Sequence, residues 1–451
     1  MLFIGLALPA QRIAPVGTWT PYLSHNKTKE IIKKGDRLYV MTEGGMYWWN
    51  SVSKEKKAYS TIDGLSGVNP SAFFLDTISG TFFLGYENGM INYFNDPDDG
   101  FNYLTEIRRT ELYTTKRINN FISDGNKLYV ATAFGIVIYD IHDKEVRNSV
   151  TKFGNLPTGT GVEDIDIVGD TIWVCMGSGG VFFADRNSPN ITVPNVWKRA
   201  NGTLGLPTGE SHLIASLLDV VYLQIEDTVF QKAPGQNWKL APFPFYTFRN
   251  IDAVGEDYLY LTYDNVMRIK QRSGAQSNLV HKFRFYSAYL DSNNYYVGDT
   301  VNGLMEWFDT DSFDVYTPEG PFNNSVSELA VGNGNLFIAP GGRNGTGPSN
   351  NFDGFYYFNL DKGWHRFDVK DELDINLVWA QFARAYYDEK DQSCYMGSWN
   401  HGFLRVQNDS VVDSWTSQNS GLSASYNQGI GAKTRVTGLS VDRDGNVWAT
   451  A

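Results

Sequence analysis

The chain is predicted to be all-β and to form tandem β-propellers, the first seven-bladed and the second incomplete. Three observations lead there. One short pattern recurs ten times: a Gly/Asp/Asn turn, an aromatic flanked by aliphatics, a Gly-containing turn and a second hydrophobic run. The first copy reads Gly35-Asp36-Arg37-Leu38-Tyr39-Val40, then Glu43-Gly44-Gly45-Met46-Tyr47-Trp48. The aromatic anchors are Tyr39, Phe83, Tyr129, Trp173, Tyr222, Tyr260, Tyr296, Phe337, Tyr395 and Trp448. Their spacing of roughly 40–50 residues suits a four-stranded propeller blade. Finally, the runs are short, rich in aromatic and β-branched residues, and bounded by Gly, Asn and Asp, which are strand and hairpin signals. No stretch sustains a helical period with caps at both ends. The fairest helix candidate, Lys370 to Arg384, is brief and aromatic-rich.

The elements follow in order. Leu2 to Ala10 has the apolar core and small-residue end of a secretory leader, without a basic segment before it. It is too short to span a bilayer. Residues 1–11 are therefore expected to be part of a signal peptide. Thr18-Trp19-Thr20-Pro21-Tyr22-Leu23 reads as a lone outer strand, similar to Asn195-Val196-Trp197-Lys198-Arg199, which ends a later unit. Anchored by Trp19, it is expected to pair with the last blade and close the ring, removing open edges. Seven units follow, to about residue 312. In the third, strands are expected at residues 118–123, 127–132, 136–141 and 146–153.

Antiparallel order places each second-to-third-strand turn on the same face as the link to the next unit. Turns such as Glu43-Gly44-Gly45 and Ser178-Gly179-Gly180 thus share a rim with links such as Asp63-Gly64-Leu65-Ser66 and Gly154-Asn155-Leu156-Pro157. The glycines read as turn geometry with positive φ. No G-x-x-x-x-G-K-[ST] phosphate cradle occurs. Seven blades need about 310 residues. Residues 12–321 are accordingly assigned to the first propeller, ending at the break Thr317-Pro318-Glu319-Gly320-Pro321. Residues 322–451 are assigned to the first three blades of a second. Three blades cannot close a ring, so the natural product is expected to continue past Ala451.

Composition narrows the function. A net charge of −12 lacks the basic stripe of a nucleic-acid binder. The basic spots at residues 29–34, 54–57 and 108–109 are short and read as solvated turns. The 12 Trp, 26 Tyr and 28 Phe residues fall mostly at repeat positions, so they read as core. Cys175 and Cys394 both sit in second strands, in different discs, and are expected to be buried free thiols. Beyond the leader no run is long and apolar enough for a transmembrane segment.

No catalytic constellation appears. The six histidines, His25, His142, His212, His281, His365 and His401, form no metal spacing. There is no G-x-S-x-G elbow. Asp96-Pro97-Asp98-Asp99-Gly100 has the carboxylate density of a calcium site but not the spacing of an EF-hand loop, and reads as a solvated hairpin. Residues 440–448 are similar to the Asp-box turn of sialidase-like propellers, with the glycine one position late; such boxes are structural. No cofactor is expected.

Two rim features are binding candidates. Trp399 and His401, in Trp399-Asn400-His401-Gly402, occupy a turn where other units have small residues. An exposed Trp-His pair suits stacking on a sugar or a partner; the alternative is local packing. Arg343 lies in the insertion from Gly341 to Asp353. Rim loops on a rigid scaffold are where binding resides; the alternative is a tolerated surface insertion. The expectation is a docking surface without a reactive centre. Acids converging in the central channel on a substrate would contradict it.

The repeat, its links and residues 436–448 resemble the two-component-regulator propeller repeats of Bacteroidetes. A narrower resemblance rests on Trp19-Thr20-Pro21-Tyr22-Leu23-Ser24, Asp63-Gly64-Leu65-Ser66, Gly85-Tyr86-Glu87-Asn88-Gly89, Ala131-Thr132-Ala133-Phe134-Gly135-Ile136-Val137, Met396-Gly397-Ser398-Trp399-Asn400-His401-Gly402 and Asn419-Ser420-Gly421-Leu422. In that order, over nearly the whole chain, they resemble the PorZ family of the type IX secretion system. The resemblance implies two seven-bladed propellers followed by a β-sandwich secretion signal, and a place on the outer-membrane surface. It implies work beside a sortase-like peptidase and an outer-membrane barrel shuttle, attaching cargo to anionic lipopolysaccharide, by binding and presenting rather than by catalysis. The sandwich is missing from this sequence. A second reading is the periplasmic sensor region of a hybrid two-component system that binds polysaccharide fragments. A third is a carbohydrate-active enzyme. The fold alone does not separate them.

Overall fold

The computed structural model describes residues 19–291, 294–309, 312–344, 347–349, 351–367, 381–427 and 431–450. In it each repeat becomes one antiparallel sheet. The first comprises Thr28–Lys34, Arg37–Thr42, Gly45–Asn50 and Lys56–Tyr59, paired in chain order. The third comprises Ile118–Asp124, Lys127–Thr132, Gly135–Asp140 and Val146–Val150, within a few residues of expectation. Its third strand starts on Gly135, whose φ is 138°. A Cβ there would lie 2.2 Å from the Val150 carbonyl oxygen, so only glycine lets the fourth strand approach.

Seven such four-stranded sheets run from Thr28 to Val315. Their first strands are Thr28–Lys34, Ala72–Asp76, Ile118–Asp124, Asp164–Val168, Ile214–Leu217, Asn250–Val254 and Phe285–Leu290. Each packs on the next, and the seventh packs on the first, so the cycle closes at seven. Two further four-stranded sheets begin at Glu328–Gly332 and Phe382–Asp388. A hairpin, Gly438–Val441 with Val447–Thr450, follows them. These three first strands also pack in succession.

The core lies between sheets. Tyr39, Met46 and Trp48 of the first sheet meet Phe73, Phe82 and Leu84 of the second. The Tyr39 and Phe82 rings are 4.4 Å apart between centroids. Nine of the ten anchors are buried; Trp448 is exposed. Burying one such side chain is worth about 1.5–3 kcal/mol, which is what makes the aromatic the fixed point of the repeat.

Several expectations are corrected. The ring closes without an N-terminal strand. Residues 19–23 form none, Trp19 is 82% exposed, and Thr18 lies outside the described residues. The seventh sheet has its own fourth strand, Ser312–Val315, paired with Leu304–Asp309. Trp197, which suggested the analogy, is buried beside its sheet, whereas Trp19 has no sheet to enter. The N-terminal segment instead lies along the lead-in to the eighth sheet. Ser24 N–H donates to Asn324 Oδ1 (2.7 Å), and Ser24 Oγ donates to the Phe322 carbonyl (2.9 Å). Tyr22 sits 4.9 Å from the Phe358 ring.

Most of the helix candidate, residues 370–380, lies outside the described residues; its end, Phe382 to Arg384, belongs to a strand, Phe382–Asp388. Among the described residues the one α-helix is Glu106–Arg109, which carries the basic pair Arg108 and Arg109. The basic run at 29–34 is a strand rather than a solvated turn. Lys29 Nζ donates to the Pro70 carbonyl and Lys34 Nζ to those of Gly80 and Asn95, each at 2.9 Å, tying the first sheet to the second. The leader falls outside the described residues. No helix among them is long and apolar enough to cross a membrane.

Candidate functional site

The rim forms as the strand order requires. Gly177, in a second-to-third-strand turn, pairs with Ser211, in the following link. Asn69 N–H likewise donates to the Glu43 carbonyl (2.9 Å). On this rim His212 Nδ1 lies 2.5 Å from Glu163 Oε2 and its Nε2 lies 3.6 Å from Glu210 Oε2.

The rim candidates are placed as follows. Trp399 is not exposed: it is 7% accessible, and the Arg435 guanidinium lies 4.2 Å above its ring. Local packing therefore takes the indole, because Arg435, from the link into the next repeat, lies over it. His401 is half-buried and pairs with Thr434; burial lowers its pKa below the usual 6.5. Arg343 pairs with Pro348 in a two-residue strand, and its side chain lies outside the described part.

Two acidic motifs resolve into structural turns. Asp442 accepts from the N–H groups of Asp444 and Asn446 (2.9 Å each), from Asn446 Nδ2 (3.0 Å) and from Trp448 Nε1 (2.9 Å). Those donors hold its carboxyl well below the usual carboxylate range. The run at 96–100 is a 3₁₀ turn, Pro97–Asp99, capped by the Asp96 side chain, rather than a solvated hairpin. Asp98 takes Lys57 Nζ at 2.6 Å and the Tyr59 hydroxyl at 2.7 Å. Among the described residues, no three His, Cys, Asp or Glu groups are arranged to hold a metal.

A belt of inner-strand acids escaped the sequence reading. The first strand of each sheet has one edge with no partner strand, so its N–H groups need other acceptors. Glu30 Oε1 accepts from Ile31 N–H (3.1 Å), Asp166 Oδ1 from Ile167 (2.7 Å) and Asp252 Oδ1 from Ala253 (2.7 Å). Asp164 accepts from Ile165 (2.9 Å) and, across the sheet boundary, from Ile214 (2.8 Å). Desolvation pushes Asp164 up to about 7 and Asp166 up to about 6. It also raises Glu30 and Asp252, and the charge of Asp252 raises Glu30 further. Chemically the belt is a set of acceptors for backbone donors. The signal that would have revealed it is the acid placed directly before an apolar residue: Glu30-Ile31, Asp164-Ile165, Asp166-Ile167 and Asp252-Ala253.

The comparisons with known proteins agree with this architecture. Residues 38–198 match the family described as the N-terminal β-propeller domain of PorZ, of the type IX secretion system. The structure is similar to that of PorZ from Porphyromonas gingivalis, an essential bacterial surface component of that system. The TM-score is 0.78 at 17% identity, over 96% of this chain and 57% of that one. It is also similar to the extracellular domain of a putative hybrid two-component system of B. thetaiotaomicron. There the TM-score is 0.51 at 15% identity, over 95% of this chain and 64% of that one. The chain thus spans less than two thirds of either structure. No curated protein sequence matches it. At these identities the likeness shows the fold, a β-propeller.

Proposed function

We propose that this protein is a non-catalytic binding and assembly component of type IX secretion, exported to the outer-membrane surface. In this reading it supports the processing of cargo and its attachment to anionic lipopolysaccharide, beside a sortase-like peptidase and an outer-membrane barrel shuttle. The observation that carries the reading is the match of residues 38–198 to the PorZ propeller family. The inner acids support it as well, because each is engaged in holding a strand edge. We further read residues 12–321 as one seven-bladed disc and residues 322–451 as the opening blades of a second. Ligand contact is assigned to the rim at His401 and Arg343, with Trp399 acting beneath Arg435.

Deletion of the gene tests the proposal. Type IX cargo should then be left unprocessed and unanchored, and restored by the full-length gene. Normal cargo maturation in the deletion strain ends the reading. The second reading, a periplasmic propeller sensor for polysaccharide fragments, is favoured by the likeness to the two-component extracellular domain. The gene beyond residue 451 separates the two: a β-sandwich supports secretion, while a membrane helix followed by kinase motifs supports sensing.

A further inference from the structure

Six joints of the seven-sheet ring are bridged by the chain itself; the joint between the seventh sheet and the first is not. Its inner wall is Thr28–Lys34 against Phe285–Leu290. There Ser287 Oγ accepts from Ile31 N–H (3.1 Å) and lies 2.8 Å from Glu30 Oε1. The same Oγ is 3.3 Å from the Tyr260 hydroxyl, which is 3.3 Å from Asp252 Oδ2. A carboxyl of the first sheet and a carboxyl of the sixth are therefore joined by two hydroxyls across the seam.

The hydrogens in this chain can be counted. Glu30, Ser287, Tyr260 and Asp252 make three oxygen–oxygen contacts, and each needs one hydrogen. The two hydroxyls supply two. With both carboxyls ionised, Ser287 donates to Glu30 and Tyr260 donates to Asp252. The Ser287–Tyr260 contact is then left with two lone pairs facing each other. One carboxyl proton completes the set from either end, and it also removes one of two like charges from a desolvated site.

We propose that Glu30 and Asp252 share one proton that latches the open seam of the ring, and that the seam loosens when rising pH removes it. The titratable and charged groups on the elements packed against Thr28–Lys34 are Arg37 and Tyr39, Asp76, Tyr286 and Tyr289, and Tyr295, Tyr296 and Asp299. Lys29, Lys33 and Lys34 lie on the strand itself. These cations are engaged elsewhere: Lys29 with Pro70, Lys33 with Asp291, Lys34 with Gly80 and Asn95, and Arg37 with Asp96. Asp252 is the charge that acts on Glu30, and Asp166 is the one that acts on Asp252. The titratable groups on the elements packed against Asn250–Val254 are Tyr258, Tyr260 and Tyr263, and Tyr286 and Tyr289. Burial and that charge both favour keeping the proton. A raised pKa gives stability that is complete below the unfolded value and is lost as pH climbs through the folded one.

Amide hydrogen exchange, corrected for the intrinsic rate, tests the latch at pH 5.5 and 8.5. Peptides covering 28–34 and 285–290 should lose roughly tenfold or more in protection at the higher pH, since one pKa unit is a factor of ten. Peptides covering 81–85 serve as the reference and should not follow. Glu30→Gln and Asp252→Asn each bring a permanent N–H donor to one end of the chain. Each should fold and hold its seam protection within about twofold across the same range, twofold being about a third of a pKa unit. Ser287→Ala should be poorly protected at both pH values. A wild-type seam indifferent to pH overturns the proposal. So does the wild-type slope in both amide variants, or failure of both to fold.

Discussion

Closure of the ring across its one unbridged joint is open to a direct test at Trp49. This residue is 1% exposed, on the third strand of the first sheet. It stacks on Tyr316, just after the seventh sheet, at 4.0 Å and 17°, and lies 5.7 Å from Tyr296 of that sheet. Truncation by Trp49→Ala removes the buried indole and leaves a cavity, at a cost of about 3–5 kcal/mol. Loss of the aromatic pairing adds about 0.5–1.5 kcal/mol. Native stabilities are about 5–15 kcal/mol, so the loss is a large share of the total. Urea unfolding followed by circular dichroism should show the midpoint falling by about 1 M or more, for a slope of about 3 kcal/mol per molar. Trp19→Ala is the control. At 82% exposure it should change stability by no more than about 0.5 kcal/mol. Should Trp19→Ala cost as much as Trp49→Ala, the N-terminal segment closes the ring after all and the seam described above is wrong.

Other expectations follow from single sites. His25 is buried, its Nδ1 2.8 Å from Thr42 Oγ1, and burial lowers its pKa from 6.5 to about 4. The unfolded chain then binds more protons between those values, so stability is complete above pH 6.5 and lost as pH falls toward 4, by about 3 kcal/mol. Melting temperatures at pH 4, 5.5 and 7 should show a fall on the acid side that His25→Gln reduces. Gly44→Ala would set a Cβ 2.5 Å from the Ser24 carbonyl oxygen, a backbone atom. It should cost about 1–3 kcal/mol and speed tryptic cleavage after Lys27 as the N-terminal segment lifts. Cys175 and Cys394 are free and buried, and burial pushes both thiols up. A thiol reagent should find neither in the native protein and both in guanidinium; rapid labelling of the native form would contradict the burial.

The fold was legible because its strongest determinant is local. An aromatic between aliphatics, with Gly-Asp before and a glycine turn after, determines two strands and their hairpin within about fifteen residues. Tyr129 and its neighbours illustrate this, and the observed strands begin and end where the turn residues put them. What could not be read are the contacts that join distant segments. Trp19 looked like Trp197 because each stands in a short run that reads as an outer strand, but burial depends on whether a third strand lies beside it, and that is decided some three hundred residues away. Trp399 looked like a rim aromatic because the turn around it is polar. The Arg435 that covers it comes from the next repeat. The inner acids were missed for a related reason: taken alone, Asp252 is a polar residue in a strand, and its purpose appears only once the strand has an unpaired edge.

That edge changes how the acids should be weighed. Convergent carboxyls with raised pKa values are the signature by which a reactive centre is often sought. In a closed ring of sheets, however, seven strand edges face one channel, and every edge presents N–H groups that no neighbouring strand pairs. A carboxyl or amide directly before an apolar residue caps its own strand, as Asn120 does for Phe121 N–H at 2.7 Å without carrying any charge. The neutral example is the informative one. If the position needed acidity, an asparagine there would be out of place; if it needs an acceptor, asparagine and aspartate serve alike. Asp164 goes one step further and accepts from Ile214 of the neighbouring sheet, so that capping an edge and joining two sheets become one interaction. Glu30 makes the corresponding link through Ser287, at the joint the chain does not bridge. The acidity of the channel thus follows from closing a ring of sheets, and chemistry directed at a ligand is better sought on the rim.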